Sequence, residues 1–142
     1  MFYNVNPWAI LGAAIATMIV GFIWYSPALF ARPWMVAMGY DPDDKTKIDE
    51  MRKGAGKMYG ITFILSLLGA FVLAKIISGL TIETVYHGVK VAFGVWLGFL
   101  MPVQLTDKMF SRRPFNLFLI NTGYQLAAYL VMGAILGKWG WR

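Results

Sequence analysis

The sequence predicts an all-α membrane protein, a bundle of four transmembrane helices, and three observations predict it. Long apolar runs alternate with short charged segments, and several runs reach the ~20 residues that a helix needs to cross a ~30 Å hydrocarbon core. Only 14% of the residues are charged, against about a quarter in an average soluble domain. Most Lys and Arg residues stand beside apolar runs, where they orient helices against anionic lipid, so we expect no nucleic-acid partner.

At 142 residues the chain has the size of one domain. We therefore assign residues 1–142 to a single integral membrane domain, with spans at about 7–26, 58–78, 86–106 and 115–137. A short interfacial helix is expected after the first span, and a charged cytoplasmic helix before the second. We expect the first span to stay in the mature protein, because no basic segment precedes it and no small-residue cleavage site follows it.

The first span should end in a bend. Pro27 disfavours the α conformation at Ser26, and the aromatic, apolar segment that follows is too short to cross a membrane. Such a segment is typical of a helix lying in the membrane interface, where it either sets helix depth or covers the polar residues beneath it as a lid. The anchor residues predicted for this interface are Trp24, Phe30, Arg32 and Trp34.

Two further helix starts are predicted from capping residues. Asp41 is expected to cap the charged helix, with Pro42 in its first position. Thr81 is expected to cap the third span, and Pro102 should kink that span.

Two Gly-x-x-x-Gly pairs allow close contact between helices. One is Gly94 with Gly98, and the other is Gly133 with Gly137. The spacing does not distinguish contacts within one chain from contacts between copies of it.

The distribution of basic residues predicts the orientation, since cytoplasmic flanks carry the excess of Lys and Arg. The segments after the first and third spans hold nine of the 13 basic residues, and the other side holds four, namely Lys75, Lys90, Lys138 and Arg142. We therefore expect both termini outside the cytoplasm and the bend at its surface.

Uncharged polar residues gather in the predicted cytoplasmic half of the spans. The candidate polar cavity consists of Tyr25, Ser26, Gln104, Asn121, Tyr124 and Gln125. These groups need partners in hydrocarbon, so they form either a set of interhelical hydrogen bonds or a cavity for a small polar molecule or lipid headgroup. Asp107 lies at the rim, where we expect it to pair with Arg112 or Arg113.

The residue inventory offers little for catalysis. The chain has no Cys and one His, so no thiolate metal site is possible and we expect no metal and no cofactor. No nucleophile–base pair is recognisable, and we do not expect an enzyme.

Several motifs carry a family resemblance. They are Gly21-x-x-Trp24-Tyr25-Ser26-Pro27, Trp96-Leu97-Gly98-Phe99, Gln104-Leu105-Thr106 and Asn121-x-Gly123-Tyr124-Gln125. In this order and spacing the chain resembles the bacterial membrane proteins grouped as domain of unknown function 1761. The resemblance covers nearly the whole chain and is least typical over residues 41–57. It implies a small four-helix, multi-pass protein of a bacterial inner membrane, and it implies no activity and no catalytic residues.

Two functions remain open. The first is a small homo-oligomeric transporter or channel-like protein, because four short helices enclose little space alone. The alternative is a non-catalytic membrane module that binds lipid or stabilises a partner protein. Membrane lipids are the expected partners in both cases, and the identity of any small-molecule ligand is unknown.

Overall fold

The computed structural model describes residues 5–41, 43–82 and 84–139, without the side chain of Met51. These residues form helices and no β-sheet. The elements in chain order are α1 (Pro7–Trp24), α2 (Ala31–Ala37), α3 (Lys45–Lys53), α4 (Ala55–Gly79), α5 (Val85–Val95), a π-helical turn (Trp96–Leu100), α6 (Met101–Ser111) and α7 (Phe115–Trp139).

Four helices in the described ranges are long and apolar enough to cross a membrane. They are α1, α4, the continuous helix Val85–Ser111 formed by α5, the π turn and α6, and α7. The predicted fold class, a four-helix transmembrane bundle with a short helix after the first span and a charged helix before the second, is therefore confirmed. The outer faces of the bundle are apolar: Phe99 is 71% exposed and Val103 is 68% exposed, as lipid-facing side chains should be.

Helix α7 is the centre of the bundle. It packs against α1, α4 and α5 along its length, and against α2 and α6 near its start. The best-buried side chains are Leu73 and Ile77 of α4 and Met132 and Leu136 of α7. The apolar core therefore lies towards the end of the bundle where α4 and α7 finish.

The other end of the bundle is rich in positive charge. Helices α1 and α6 finish here and α4 and α7 begin here, because the connections of the four spans alternate between the two ends. The helix ends and connecting segments at this end hold nine of the 13 Lys and Arg residues. We call it the basic end, and we call the other the core end.

The charged helix begins later than expected. Asp44, not Asp41, is the N-cap of α3, and its side chain accepts hydrogen bonds from the backbone N–H groups of Thr46 and Lys47. Asp41 instead accepts from the backbone N–H of Asp43 at 2.9 Å. Three carboxylates in four residues can all cap a helix, so composition alone did not identify the one that does. The expected first position, Pro42, lies outside the described residues.

The cap of α5 also differs from the expectation. Thr84 caps it by accepting from the backbone N–H of His87 at 3.2 Å. Thr81 instead adopts a left-handed conformation, with φ of 54°, just after α4 ends. Thr81 lies between two helices, where it could cap the second or form the turn after the first. In the structure it forms the turn, and the cap falls to Thr84.

The third span is interrupted next to its proline. At Trp96–Leu100 the helix widens to a π turn, and the backbone N–H of Met101 donates to the carbonyl of Trp96. Pro102, which has no N–H to donate, follows directly. Such local adjustments satisfy backbone groups around a proline in a spanning helix, and π turns are frequent at functional sites. Here the turn brings Trp96 to α7.

Candidate functional site

Two tryptophans, one at the end of α1 and one in the π turn of the third span, donate hydrogen bonds to the backbone of α7. Trp24, the last residue of α1, donates from Nε1 to the carbonyl oxygen of Ile120 at 2.9 Å. Trp96, the first residue of the π turn, donates from Nε1 to the carbonyl oxygen of Thr122 at 3.0 Å. The first and third spans are thus held to the same turn of α7.

Two glycines make room for the aromatic rings of the opposite helix. A Cβ on Gly123 of α7 would stand 3.0 Å from Cζ2 of Trp24, and a Cβ on Gly21 of α1 would stand 3.2 Å from Cε1 of Tyr124. Any larger residue at either position would displace a ring. Each helix therefore contributes one glycine and one aromatic residue to the α1–α7 contact: Gly21 faces Tyr124, and Gly123 faces Trp24.

Three of the predicted polar residues come together beside this contact. The hydroxyl of Tyr25 donates to Oδ1 of Asn121 at 2.7 Å. The ring of Tyr25 lies 5.5 Å from that of Tyr124, measured between centroids, and the hydroxyl of Tyr124 donates to the backbone carbonyl of Thr17 at 3.2 Å. These bonds join α1 to α7, as interhelical hydrogen bonds in the membrane do.

The other three predicted cavity residues make no hydrogen bond to this group within the described residues. Ser26 donates from Oγ to the carbonyl of Ile23 at 2.7 Å and so binds its own helix end. Gln125 makes no side-chain hydrogen bond within the described part of the chain. Gln104 lies on α6 and lines a pocket together with Asn121.

The predicted interfacial residues form an aromatic layer near the start of α7. Trp24 stacks on Phe30 with ring centroids 4.8 Å apart. Trp34 of α2 lies 6.2 Å from the ring of Tyr25. Arg32 forms a 3.4 Å ion pair with Asp43, and both side chains are largely exposed. The layer therefore packs against the bundle through its aromatic rings, while the Arg32 side chain stays exposed.

A polar pocket of about 180 Å³ opens between α6 and α7 at the basic end. Gln104, Asp107 and Lys108 share one face of α6, because they stand at positions i, i+3 and i+4. On α7, Leu117, Phe118 and Asn121 likewise share one face, because Asn121 stands four residues after Leu117 and three after Phe118. The full lining is Gln104, Asp107, Lys108, Arg113, Leu117, Phe118 and Asn121.

The turn between α6 and α7 brings Arg113 to this pocket. Arg112 ends α6 in the left-handed conformation, with φ of 56°. Pro114 follows Arg113, and its carbonyl accepts from the backbone N–H groups of Leu117 and Phe118. The chain thus reverses over a few residues, and the arginine between the two helices stays at the rim of the pocket.

Several polar groups of the pocket have no protein partner. Oε1 of Gln104 is buried without a hydrogen bond. Since Oδ1 of Asn121 is occupied by Tyr25, the Nδ2 amide is the group that Asn121 has left to donate. The expected pairing of Asp107 with Arg112 or Arg113 is wrong: within the described residues Asp107 joins no ion pair. Arg112 and Arg113 stand at positions i+5 and i+6 from Asp107, beyond the i+3 and i+4 positions that share a helix face.

Sequence reasoning missed part of this site. Asp107 was noticed only as a rim acid, and Lys108, Arg113 and Trp96 were not assigned to the cluster. The i, i+3, i+4 spacing from Gln104 was the available signal for the α6 face. No comparable signal exists for Trp96, because its contact depends on the π turn. No group of three or more metal-ligating side chains converges in the described ranges.

A family model described as protein of unknown function (DUF1761) matches residues 8–137. The chain belongs to this family. Comparisons with curated proteins and with solved structures found no match. Membership of DUF1761 assigns no activity, so the function of this chain has to be argued from the contacts described above.

Proposed function

We propose that this protein is a non-catalytic membrane module that binds a polar lipid headgroup at its basic end. The pocket between α6 and α7 carries the proposal. It combines two carboxamides with a carboxylate, an ammonium and a guanidinium at the ends of two membrane spans. This is the depth at which lipid headgroups meet a bundle.

The surface beside the pocket suits the rest of a lipid. The third span continues inward from Gln104 with exposed apolar side chains, since Val103 is 68% exposed and Phe99 is 71% exposed. On α7, Leu119 is 50% exposed. A lipid with its headgroup in the pocket would lay its acyl chains along this apolar surface, so a single molecule would satisfy the polar and the apolar parts together.

The interior of the bundle supports binding better than passage. Towards the core end, Leu73, Ile77, Met132 and Leu136 are almost fully buried, and the backbones of α5 and α7 touch at Gly88 and Gly133. A polar solute leaving the pocket in that direction would meet only this apolar packing.

A homo-oligomeric transporter or channel is the second candidate, and one observation favours it. A Cβ added to Gly94 or Gly98 of the third span would meet no atom of another part of the described chain within 4 Å. This Gly-x-x-x-Gly pair is open to another helix, and a second copy of the chain packed there would allow a pathway between subunits.

A direct test is native mass spectrometry of the full chain extracted with its lipids. We expect bound phospholipid, and we expect the double variant Lys108→Gln/Arg113→Gln to lose most of it. The control variant Lys45→Gln/Lys47→Gln removes the same charge from the exposed face of α3 and should retain the lipid. Loss of lipid from both variants would show charge-dependent adsorption instead of a site.

Flux assays separate the two candidates. In liposomes of purified protein we expect no saturable movement of amines, amino acids or small anions. Saturable flux that depends on Gly94 and Gly98 would replace the binding proposal with the transporter.

We also propose that the basic end faces the cytoplasm of a bacterial inner membrane, with both termini on the other side. The charge distribution supports this. Because the chain has no Cys, single cysteines can report on it. An impermeant maleimide should label Lys45→Cys only after the membrane is opened, and Val5→Cys in intact spheroplasts. The reverse pattern would invert the topology.

A further inference from the structure

We infer that the pocket recognises a zwitterion that carries a phosphate and a primary ammonium, as the phosphoethanolamine headgroup does. This inference rests on the proposed function, and it concerns the charges and hydrogen bonds that the pocket offers. Its lining combines two basic side chains with a carboxylate and with a buried carboxamide oxygen that has no hydrogen-bond partner.

The positively charged groups of the pocket are Lys108 and Arg113. Neither forms an ion pair within the part of the chain that the structure describes. Lys108 instead places Nζ 5.7 Å from the centre of the Phe115 ring. Two basic side chains at one pocket attract an anion, and the planar guanidinium suits two oxygens of a phosphate.

The hydrogen-bond acceptors considered for the ammonium are Gln104 and Asp107. They stand one turn apart on the same face of α6. Oε1 of Gln104 is buried without a donor, which favours a ligand that brings an N–H or O–H group to it. The carboxylate of Asp107 favours a positive charge. A primary ammonium satisfies both demands with three N–H groups, whereas a trimethylammonium has no N–H to give.

Tyr25 completes the arrangement as a positioning residue. Its hydroxyl holds Oδ1 of Asn121 at 2.7 Å. The carboxamide is thereby oriented, and Nδ2 remains to donate to a phosphate oxygen. Without the tyrosine hydroxyl, Asn121 would offer either end to the ligand and would distinguish donors from acceptors less well.

The size of the pocket fits a headgroup and not a whole lipid. Its volume of about 180 Å³ is below the ~300–1,000 Å³ of pockets that enclose a drug-sized ligand. The same chemistry is found in phosphatidylethanolamine and in free phosphoethanolamine. The exposed Val103 and Phe99, which continue inward from Gln104 along the third span, favour the lipid as its source.

The test measures lipid selectivity. The full chain is exchanged into mixed micelles with equal amounts of phosphatidylethanolamine, phosphatidylcholine and phosphatidylglycerol, and retained lipid is counted by native mass spectrometry. We expect phosphatidylethanolamine to exceed each of the others about tenfold, as one charge-assisted hydrogen bond of ~1.5 kcal/mol implies. Asp107→Asn and Gln104→Leu should abolish this preference, and Asp49→Asn, a change of the same charge on exposed α3, should leave it intact.

A second arm distinguishes the source of the ligand. Soluble phosphoethanolamine is titrated into lipid-depleted protein, and tryptophan fluorescence reports binding near Trp24 and Trp96. Weak binding of the soluble compound beside strong retention of the lipid supports the lipid. Tight binding of the compound without lipid retention keeps the zwitterion inference and overturns the lipid-binding function.

The remaining outcomes also distinguish the zwitterion inference from the lipid-binding function. Equal retention of the three lipids, or a preference for phosphatidylglycerol, overturns the zwitterion inference and leaves lipid binding in place. Retention of no lipid and no binding of phosphoethanolamine overturns both. Each variant is compared at equal helicity, measured by circular dichroism, so that misfolding is not mistaken for lost selectivity.

Discussion

The two ends of α7 contact their neighbours in opposite ways. At the core end the backbones of two helices touch: a Cβ on Gly88 of α5 would overlap the carbonyl oxygen of Gly133 and stand 2.7 Å from Cα of Gly137. At the basic end whole aromatic side chains lie between the helices, and Trp24 and Trp96 reach the backbone of α7 through their indole N–H groups.

The difference shows how a four-helix bundle can be tight and still hold polar space. Glycine against glycine brings the two backbones into direct contact, so the core end sets the register of α5 on α7. Aromatic spacers keep helices further apart, and the polar groups between them then need partners. The pocket lies at the end where the helices are held by side chains.

The largest effect is expected from disturbing the core end. Gly88→Ala places a methyl group against the backbone of Gly133 and Gly137, and such overpacking costs ~1–3 kcal/mol or more. We expect a lower midpoint of thermal aggregation in detergent and poor membrane expression. Gly94→Ala, whose added Cβ would meet no atom of another part of the described chain within 4 Å, is the matched control and should have little effect. Similar behaviour of the two variants would contradict the glycine contact.

The next effect concerns the tryptophans of the basic end. Trp24→Phe and Trp96→Phe keep an aromatic ring and remove one N–H donor to α7. Each should lower the free energy of unfolding by ~1 kcal/mol, the usual contribution of one hydrogen bond. Unfolding in sodium dodecyl sulfate, followed by circular dichroism, measures it.

A control for this pair is Trp8→Phe, since Trp8 is 77% exposed. It should leave the unfolding midpoint unchanged. If Trp8→Phe were as destabilising as the other two, the indole bonds to α7 would not be what holds the basic end together.

A smaller loss in the free energy of unfolding is expected for Tyr25→Phe. It removes the 2.7 Å hydrogen bond to Asn121 and should cost ~0.6 kcal/mol, the average for a polar contact between membrane helices. The exposed Tyr86→Phe serves as control. A loss of several kcal/mol would mean that Tyr25 acts in packing the helices, and the positioning role assigned to it would fail.

The smallest effect is expected for Arg32→Gln. Its ion pair with Asp43 is 3.4 Å long, with side chains 66% and 79% exposed, and exposed pairs contribute ~0–1 kcal/mol. Unfolding curves at low and high salt should overlay those of the unaltered protein. A clear, salt-dependent loss would show that charge, as well as aromatic packing, holds α2 at the basic end.

The sequence by itself determined the number and type of the helices. Transfer of an apolar run from water to lipid depends on the composition of that run, so hydropathy and length identified the four spans without knowledge of their neighbours. The bend after Trp24, the short helix after it and the charged helix before the second span also followed from local proline and charge patterns. Local rules were weaker at helix starts, where Asp44 and Thr84 replaced the expected caps because several residues nearby had the same chemistry.

Only the tertiary structure decided which residues meet. The two Gly-x-x-x-Gly pairs look equivalent in sequence, yet Gly133 and Gly137 contact α5 while Gly94 and Gly98 stay open. Asn121 and Gln125 share one face of α7, yet only Asn121 reaches both Tyr25 and the pocket. Contacts of this kind depend on how two helices far apart in the chain fit together, and the composition of either helix alone carries no information about that fit.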